Sequence, residues 1–270
     1  MSGPQISSRF ITANQSSGGS ITDTYADKLQ HDSFSPLHFA QACEEVGFFY
    51  LVNHGIEESL IADVFAQSKK FFELPLEEKL TVKQDNNNRG YTAFEGERLD
   101  PANQSRGDTK EGYYIGAEIP SDDLRAAKPL HGPNQWPSAG TTATPPTHHF
   151  YCQVCWGADV VPGWREVMTA YHREAVRLTL KLADILALAL DLPLDHFRRP
   201  GFFDDPIVSL RPLHYAAVES KPEEGVFGAG AHSDYGVFTY LVTDQVGGLQ
   251  ICRHKNEQPR VWEAVEAREG

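Results

Sequence analysis

The stretch Gly228-Ala229-Gly230-Ala231-His232-Ser233-Asp234-Tyr235-Gly236-Val237-Phe238-Thr239-Tyr240-Leu241 restricts this chain's fold more than any other. Val237 to Val242 is rich in β-branched and aromatic residues, the composition of a buried strand. Glycines precede it and Gly247-Gly248 follows it, marking the strand's ends. Further short runs of the same character stand at Ile207–Ala216, Leu249–Arg253 and Val261–Val265, the last two joined by a polar hairpin. Pro212 interrupts the first of these, predicting an edge or a bulge there. Within it, His214 and Tyr215 point to opposite faces. Ahead of the strands lies the longest helical pattern, Glu166 to Leu190. Its positions Val167, Ala170, Tyr171, Ala175, Leu178, Leu182, Ile185, Leu186 and Ala189 form one broad apolar face suited to packing on a sheet, and Pro193 stops it. The fold class is therefore α+β, mainly β.

The N-terminal half reads as smaller elements. Met1 to about Ile21 is polar and rich in Ser, Gly, Gln and Asn, a disordered leader without the apolar core of a signal peptide. Ser35-Pro36 starts a helix that Gly47 ends. Phe48 to Asn53 reads as a short strand, Glu57 to Phe72 as an amphipathic helix and Pro75 to Leu80 as a further short one. His54, at the strand end beside Gly55, caps a turn. His172 and Glu174 lie two apart on the long helix and diverge, so they share no ligand.

Composition excludes several functions. A formal charge of −13 with no basic run argues against a nucleic-acid surface. No apolar run of membrane-spanning length exists; even Leu178–Leu192 is broken by Lys181, Asp184 and Asp191. The four cysteines (Cys43, Cys152, Cys155 and Cys252) have no framework spacing, which points to a reducing cytoplasmic setting.

On a strand, His232 and Asp234 project to one face, with Ser233 turned away. An imidazole beside a carboxylate is two thirds of the two-His, one-carboxylate triad that holds non-haem Fe(II). The spacing alone carries nothing, since 11 His in 270 residues make one chance His-x-Asp unremarkable. The bland alternative is a turn or a hydrogen-bonded surface pair. Context decides between them.

That context is a set of words in a fixed order. They are Gly47-Phe48-Phe49-Tyr50-Leu51-Val52-Asn53-His54-Gly55-Ile56, Asn88-Arg89-Gly90-Tyr91, Lys110-Glu111-Gly112-Tyr113-Tyr114-Ile115-Gly116 and Gly132-Pro133-Asn134-Gln135-Trp136-Pro137. Asp204 to Arg211, Leu213-His214-Tyr215, Gly228 to Gly236 and Val246 to Ile251 follow. Together they resemble the 2-oxoglutarate/Fe(II)-dependent dioxygenases of the isopenicillin N synthase-like family. The resemblance implies a double-stranded β-helix, or jelly roll, with flanking helices and Fe(II) at its mouth. It makes His232 and Asp234 metal ligands and gives the Tyr215 hydroxyl to 2-oxoglutarate, with a structural Tyr as the alternative. It makes Arg89 and Tyr91 candidate substrate contacts, against core packing for Tyr91. Partners would be a small organic substrate and O2.

The resemblance also places a second His ligand roughly fifty residues beyond the first, past Gly270. Only His254 follows His232, in a polar stretch that reads as a hairpin tip. The Arg-x-Ser pair expected to grip 2-oxoglutarate is not found after Arg253, Arg260 or Arg268. The expectation is thus a barrel incomplete at its C terminus, with weak iron binding and little turnover. A non-catalytic binding or regulatory protein on the same fold is the competing reading. Ser138–Val161 departs from the family pattern. His148, His149, Cys152 and Cys155 there invite a zinc reading, but two intervening residues cannot fold the loop that separates ligand pairs, which favours an inserted surface loop. The expected organisation is a leader (1–21), an N-terminal dioxygenase domain (22–137), an insertion (138–161), a long helix with its connector (162–200) and a partial jelly roll (201–270).

Overall fold

The computed structural model describes residues 5–10, 36–138, 160–254, 256–257 and 259–268. They fall into two units that interleave along the chain. The first comprises Met1–Ser8, Ile56–Glu174 and Ile207–His232; the second comprises Arg9–Gly55, Ala175–Pro206 and Ser233–Gly270.

The first unit is built on antiparallel strands. β1 (Gln5–Phe10), β2 (Gly90–Thr92), β3 (Lys110–Tyr114) and β4 (Leu213–Tyr215) lie side by side in the order β2-β3-β4-β1. β4 is flanked on both edges: Leu213 faces Gly112 of β3 and Ser7 of β1. β1 lies inside the segment expected to be a disordered leader, and this corrects that expectation for Gln5–Phe10. An edge of unpaired N–H and C=O groups templates any extended segment within reach, whatever its composition. Pro212 precedes β4, as its missing N–H requires. Its carbonyl accepts from Tyr113 N at 3.0 Å.

The helices α1 (Pro36–Glu45), α2 (Glu58–Phe72), α3 (Leu76–Leu80) and α4 (Trp164–Ala189) lie where their start and stop signals put them. Gly47, at φ 78°, ends α1 by donating to Ala42 O at 2.9 Å. α4 closes in the same manner: Asp191 takes a left-handed φ of 56° and Leu192 N reaches back to Ala187 O at 2.9 Å. Pro193 then forbids a further turn.

The core of the first unit is aromatic. Phe71 of α2 is fully buried, its ring centroid 4.9 Å from that of Tyr113 and 4.8 Å from that of Trp164. The Phe71–Tyr113 pair is edge-to-face, a geometry that adds to simple burial, and Phe71 lies tilted against Trp164. Met168 and Tyr171 extend the core along the first turns of α4.

In the second unit, Leu178, Leu182, Ala183 and Ala187 of α4 are buried, and Phe39 of α1 packs on Phe49 with centroids 5.5 Å apart. Its strands are β5 (Tyr240–Thr243) and the antiparallel pair β6 (Gln250–Ile251) and β7 (Glu263–Ala264). The β6–β7 pair matches the hairpin expected from sequence. Phe48–Asn53, in contrast, forms no strand, because apolar composition makes a strand only where a partner supplies the ladder. β5 starts at Tyr240, later than the expected Val237, and its residues are half-buried, not buried. Among the described residues no helix is long and apolar enough to cross a membrane.

Candidate functional site

His232 sits at the end of a segment held by backbone close approach. Gly225 O accepts from Ser105 N and Phe227 O accepts from Thr109 N, both at 3.0 Å. A Cβ at Gly225 would lie 2.7 Å from Ser105 N, and one at Gly230 would lie 2.5 Å from Gln104 Oε1. Gly225 and Gly230 are therefore required by space. Gly230 N donates to Asp108 Oδ1 at 3.0 Å. On the other side of the same residue, Gly230 O lies 2.8 Å from His232 Nδ1. A carbonyl only accepts, so Nδ1 is the donor here, and in the uncharged ring with that arrangement the lone pair is on Nε2. That is the tautomer a metal-ligating imidazole needs.

Tyr215 belongs to the same unit. β4 turns it and His214 to opposite faces. Its ring lies against Gly228, where a Cβ would stand 3.3 Å from Cδ1. Asp234 is half-buried and Ser233 exposed. The boundary between the two units falls between His232 and Ser233. Residues 231–239 form no strand, so the alternation that was to align His232 with Asp234 does not apply. Gly236, at φ 84°, interrupts the extended run, which overrides the β-propensity of Val237-Phe238-Thr239.

Arg89 and Tyr91 are buried in the first unit. The Arg89 guanidinium donates to the carbonyls of Asn87 (2.9 Å), Asn88 (3.2 Å) and Leu130 (3.0 Å). Burial pulls its pKa down, against the opposing pull of Asp85 and Glu118. Tyr91 is 1% exposed and its hydroxyl donates to Glu111 Oε2. Burial, with that carboxylate, pushes its pKa up. Tyr91 spends its hydroxyl inside the fold, and Arg89 its two terminal nitrogens, while Arg89 Nε is buried without a hydrogen-bond partner. This geometry fits the core-packing alternative weighed for Tyr91.

A buried ionic network escaped the sequence reading. Glu111 of β3 accepts from Lys79 Nζ at 2.8 Å and from Tyr91, and its Oε1 lies 2.7 Å from His214 Nδ1. Burial raises its pKa, but hydrogen bonds from His214, Lys79 and Tyr91 outweigh that and hold it below the usual carboxylate range. Next to it, Lys110 bridges Asp108 and Glu97, and Arg211 joins Glu97 at 3.0 Å. The signal was present as Asp108-Thr109-Lys110-Glu111, charges entering a strand of tyrosines. Their partners at positions 79, 97, 211 and 214 lie far off in sequence.

Other candidates resolve simply. His172 Nε2 lies 3.0 Å from Val208 O, and burial lowers its pKa. His254 lies in a turn closed by Glu257 N on its carbonyl, as a hairpin tip should. His148, His149, Cys152 and Cys155 lie outside the described residues. Among the described residues no three His, Cys, Asp or Glu side chains gather to hold a metal. The donor types at positions 232 and 234, with the Nδ1-protonated imidazole, fit two places of an iron triad.

Comparison with known proteins gives three kinds of likeness. Residues 37–139 match the family model described as "non-haem dioxygenase in morphine synthesis N-terminal". Kihadalactone A synthase LFS of Citrus sinensis is 37% identical over 226 residues, covering 83% of this chain and 62% of that protein. The 2-oxoglutarate-Fe(II) type oxidoreductase hxnY of Emericella nidulans is 32% identical over 220 residues, covering 78% and 56%. Among solved structures, a full-length Neurospora crassa protein in complex with alpha-KG and 5-formyluracil superposes with a TM-score of 0.62 at 27% identity. That match covers 87% of this chain and 62% of the Neurospora chain. The chain thus spans about three fifths of the length of these relatives.

Proposed function

The chain belongs to the 2-oxoglutarate/Fe(II)-dependent dioxygenase family, and from that membership we propose that it serves to oxidise a small organic substrate with 2-oxoglutarate and O2. Hydroxylation, desaturation or ring closure are the outcomes open to it, and the synthase among its relatives favours a secondary metabolite. In this reading His232 Nε2 and the Asp234 carboxylate hold Fe(II), and the Tyr215 hydroxyl bonds 2-oxoglutarate. Fe(II), when bound, supplies the redox chemistry. The protein's share is placement. The Gly230 carbonyl keeps the His232 proton on Nδ1, and Gly228 leaves room for the Tyr215 ring. One observation carries the reading: His232 Nδ1 lies 2.8 Å from the Gly230 carbonyl, at the end of a clamped glycine segment.

Anaerobic titration with Fe(II) and 2-oxoglutarate tests the assignment. A visible charge-transfer band should develop in the unaltered protein and vanish in His232→Ala. A band that survives the substitution removes His232 from the site. No band in either protein favours the non-catalytic reading.

A further inference from the structure

We propose that Asp108 is a positioning residue for His232, acting through Gly230. The proposal rests on the metal reading of His232 and deepens it. Asp108 is completely buried, and each of its oxygens has a separate task. Oδ1 accepts from Gly230 N at 3.0 Å and from Gln104 Nε2 at 2.7 Å; Oδ2 takes the ammonium of Lys110. Gln104 is fixed in turn, its Oε1 accepting from Asp100 N at 2.7 Å. Lys110 is shared with Glu97, and Glu97 with Arg211, whose guanidinium lies 4.3 Å from the Tyr114 ring centroid. Charges alternate along this line, so the buried Asp108 side chain has its cation in place.

The line ends on the residue that orients the imidazole. Gly230 has no side chain to anchor it, and a Cβ there would strike Gln104. Its position is fixed through its N–H, by a charge-assisted hydrogen bond. With its amide held by Asp108, its carbonyl is aimed at His232 Nδ1. Groups that orient a ligand's second nitrogen typically change metal affinity about ten- to a hundredfold when removed.

The test uses the whole 270-residue chain, with Co(II) as an oxygen-stable probe of the iron site. In the metal-free protein, imidazole nitrogen NMR shifts of His232 at alkaline pH report the tautomer. Calorimetric titration with Co(II) reports affinity. Asp108→Ala is expected to mix the two tautomers and weaken Co(II) binding about tenfold. Asp108→Asn keeps an oxygen for Gly230 N and should retain the original tautomer. A folded Asp108→Ala protein with unaltered tautomer and affinity overturns the proposal. If that variant does not fold, Gly230→Ala decides: its Cβ must displace the segment, and an unchanged tautomer there is equally fatal. His232→Ala separates the two ideas. Unchanged Co(II) affinity in it sinks the metal reading, while the tautomer measured without metal still judges Asp108.

Discussion

β3 and the stretch leading into β5 invert the usual relation between polarity and burial. β3 carries Lys110 and Glu111, yet its first four residues are buried. Residues 235–243 are largely aromatic and β-branched, yet Tyr235 is fully exposed, Val237 is 49% exposed and β5 has no buried residue. Pairing explains the first case. Every charge brought into β3 meets an opposite charge or a donor, so its desolvation is offset. In the second, apolar side chains lie in a loop and a half-covered strand. Composition describes what a segment tolerates, and partners decide what it does.

The sharpest way to break this comparison is to remove one partner from β3. Glu111→Ala leaves the Lys79 ammonium buried with only the Phe72 carbonyl, and strands the Tyr91 hydroxyl. We expect a loss of about 3–5 kcal/mol, measured by chemical denaturation. A loss below about 1 kcal/mol would mean that water reaches the network.

Acid should act next. Glu111 and Glu97 both titrate below their usual range in the folded protein; burial opposes this, but Glu111's hydrogen bonds and, for Glu97, Arg211 and Lys110 outweigh it. Their folded values lie below their unfolded ones, so their stabilisation is complete above about pH 4.3 and lost as pH falls through the folded values. Each carboxylate contributes about 1.4 kcal/mol per pH unit in that window. Denaturation midpoints from about pH 6 to about pH 3 should fall accordingly, and less steeply in Glu111→Gln. A flat profile would refute the pairing account.

At the other extreme, Tyr235→Ser should shift stability by no more than about 0.5 kcal/mol, because its side chain is fully exposed. A larger loss in a thermal melt would show that Tyr235 is covered in solution.

What the sequence disclosed follows the same division. Helices were legible because their signals are local: Pro36 at a helix start, Gly47 at an end, an apolar face repeating through Glu58–Phe72 and Trp164–Ala189. The β6–β7 pair was legible as two runs around a polar turn. Phe48–Asn53 was misread because strand-like composition says nothing about a partner. His232 was found through family words, but its alignment with Asp234 assumed a strand that begins only at Tyr240. The pairs Lys79–Glu111, Glu97–Arg211 and Asp108–Gly230 have no local pattern at all. They are distant residues that only a folded backbone introduces.

The bare backbones of Gly225 and Gly230 have one more implication. With Asn103 O and Asp100 N close enough to strike any added carbon, the segment they bracket cannot drift sideways without losing hydrogen bonds at once. The imidazole two residues on thus hangs from backbone whose place is set by its contacts. Added side chains have room on the exposed faces of the helices, whereas here even a single methyl group meets backbone.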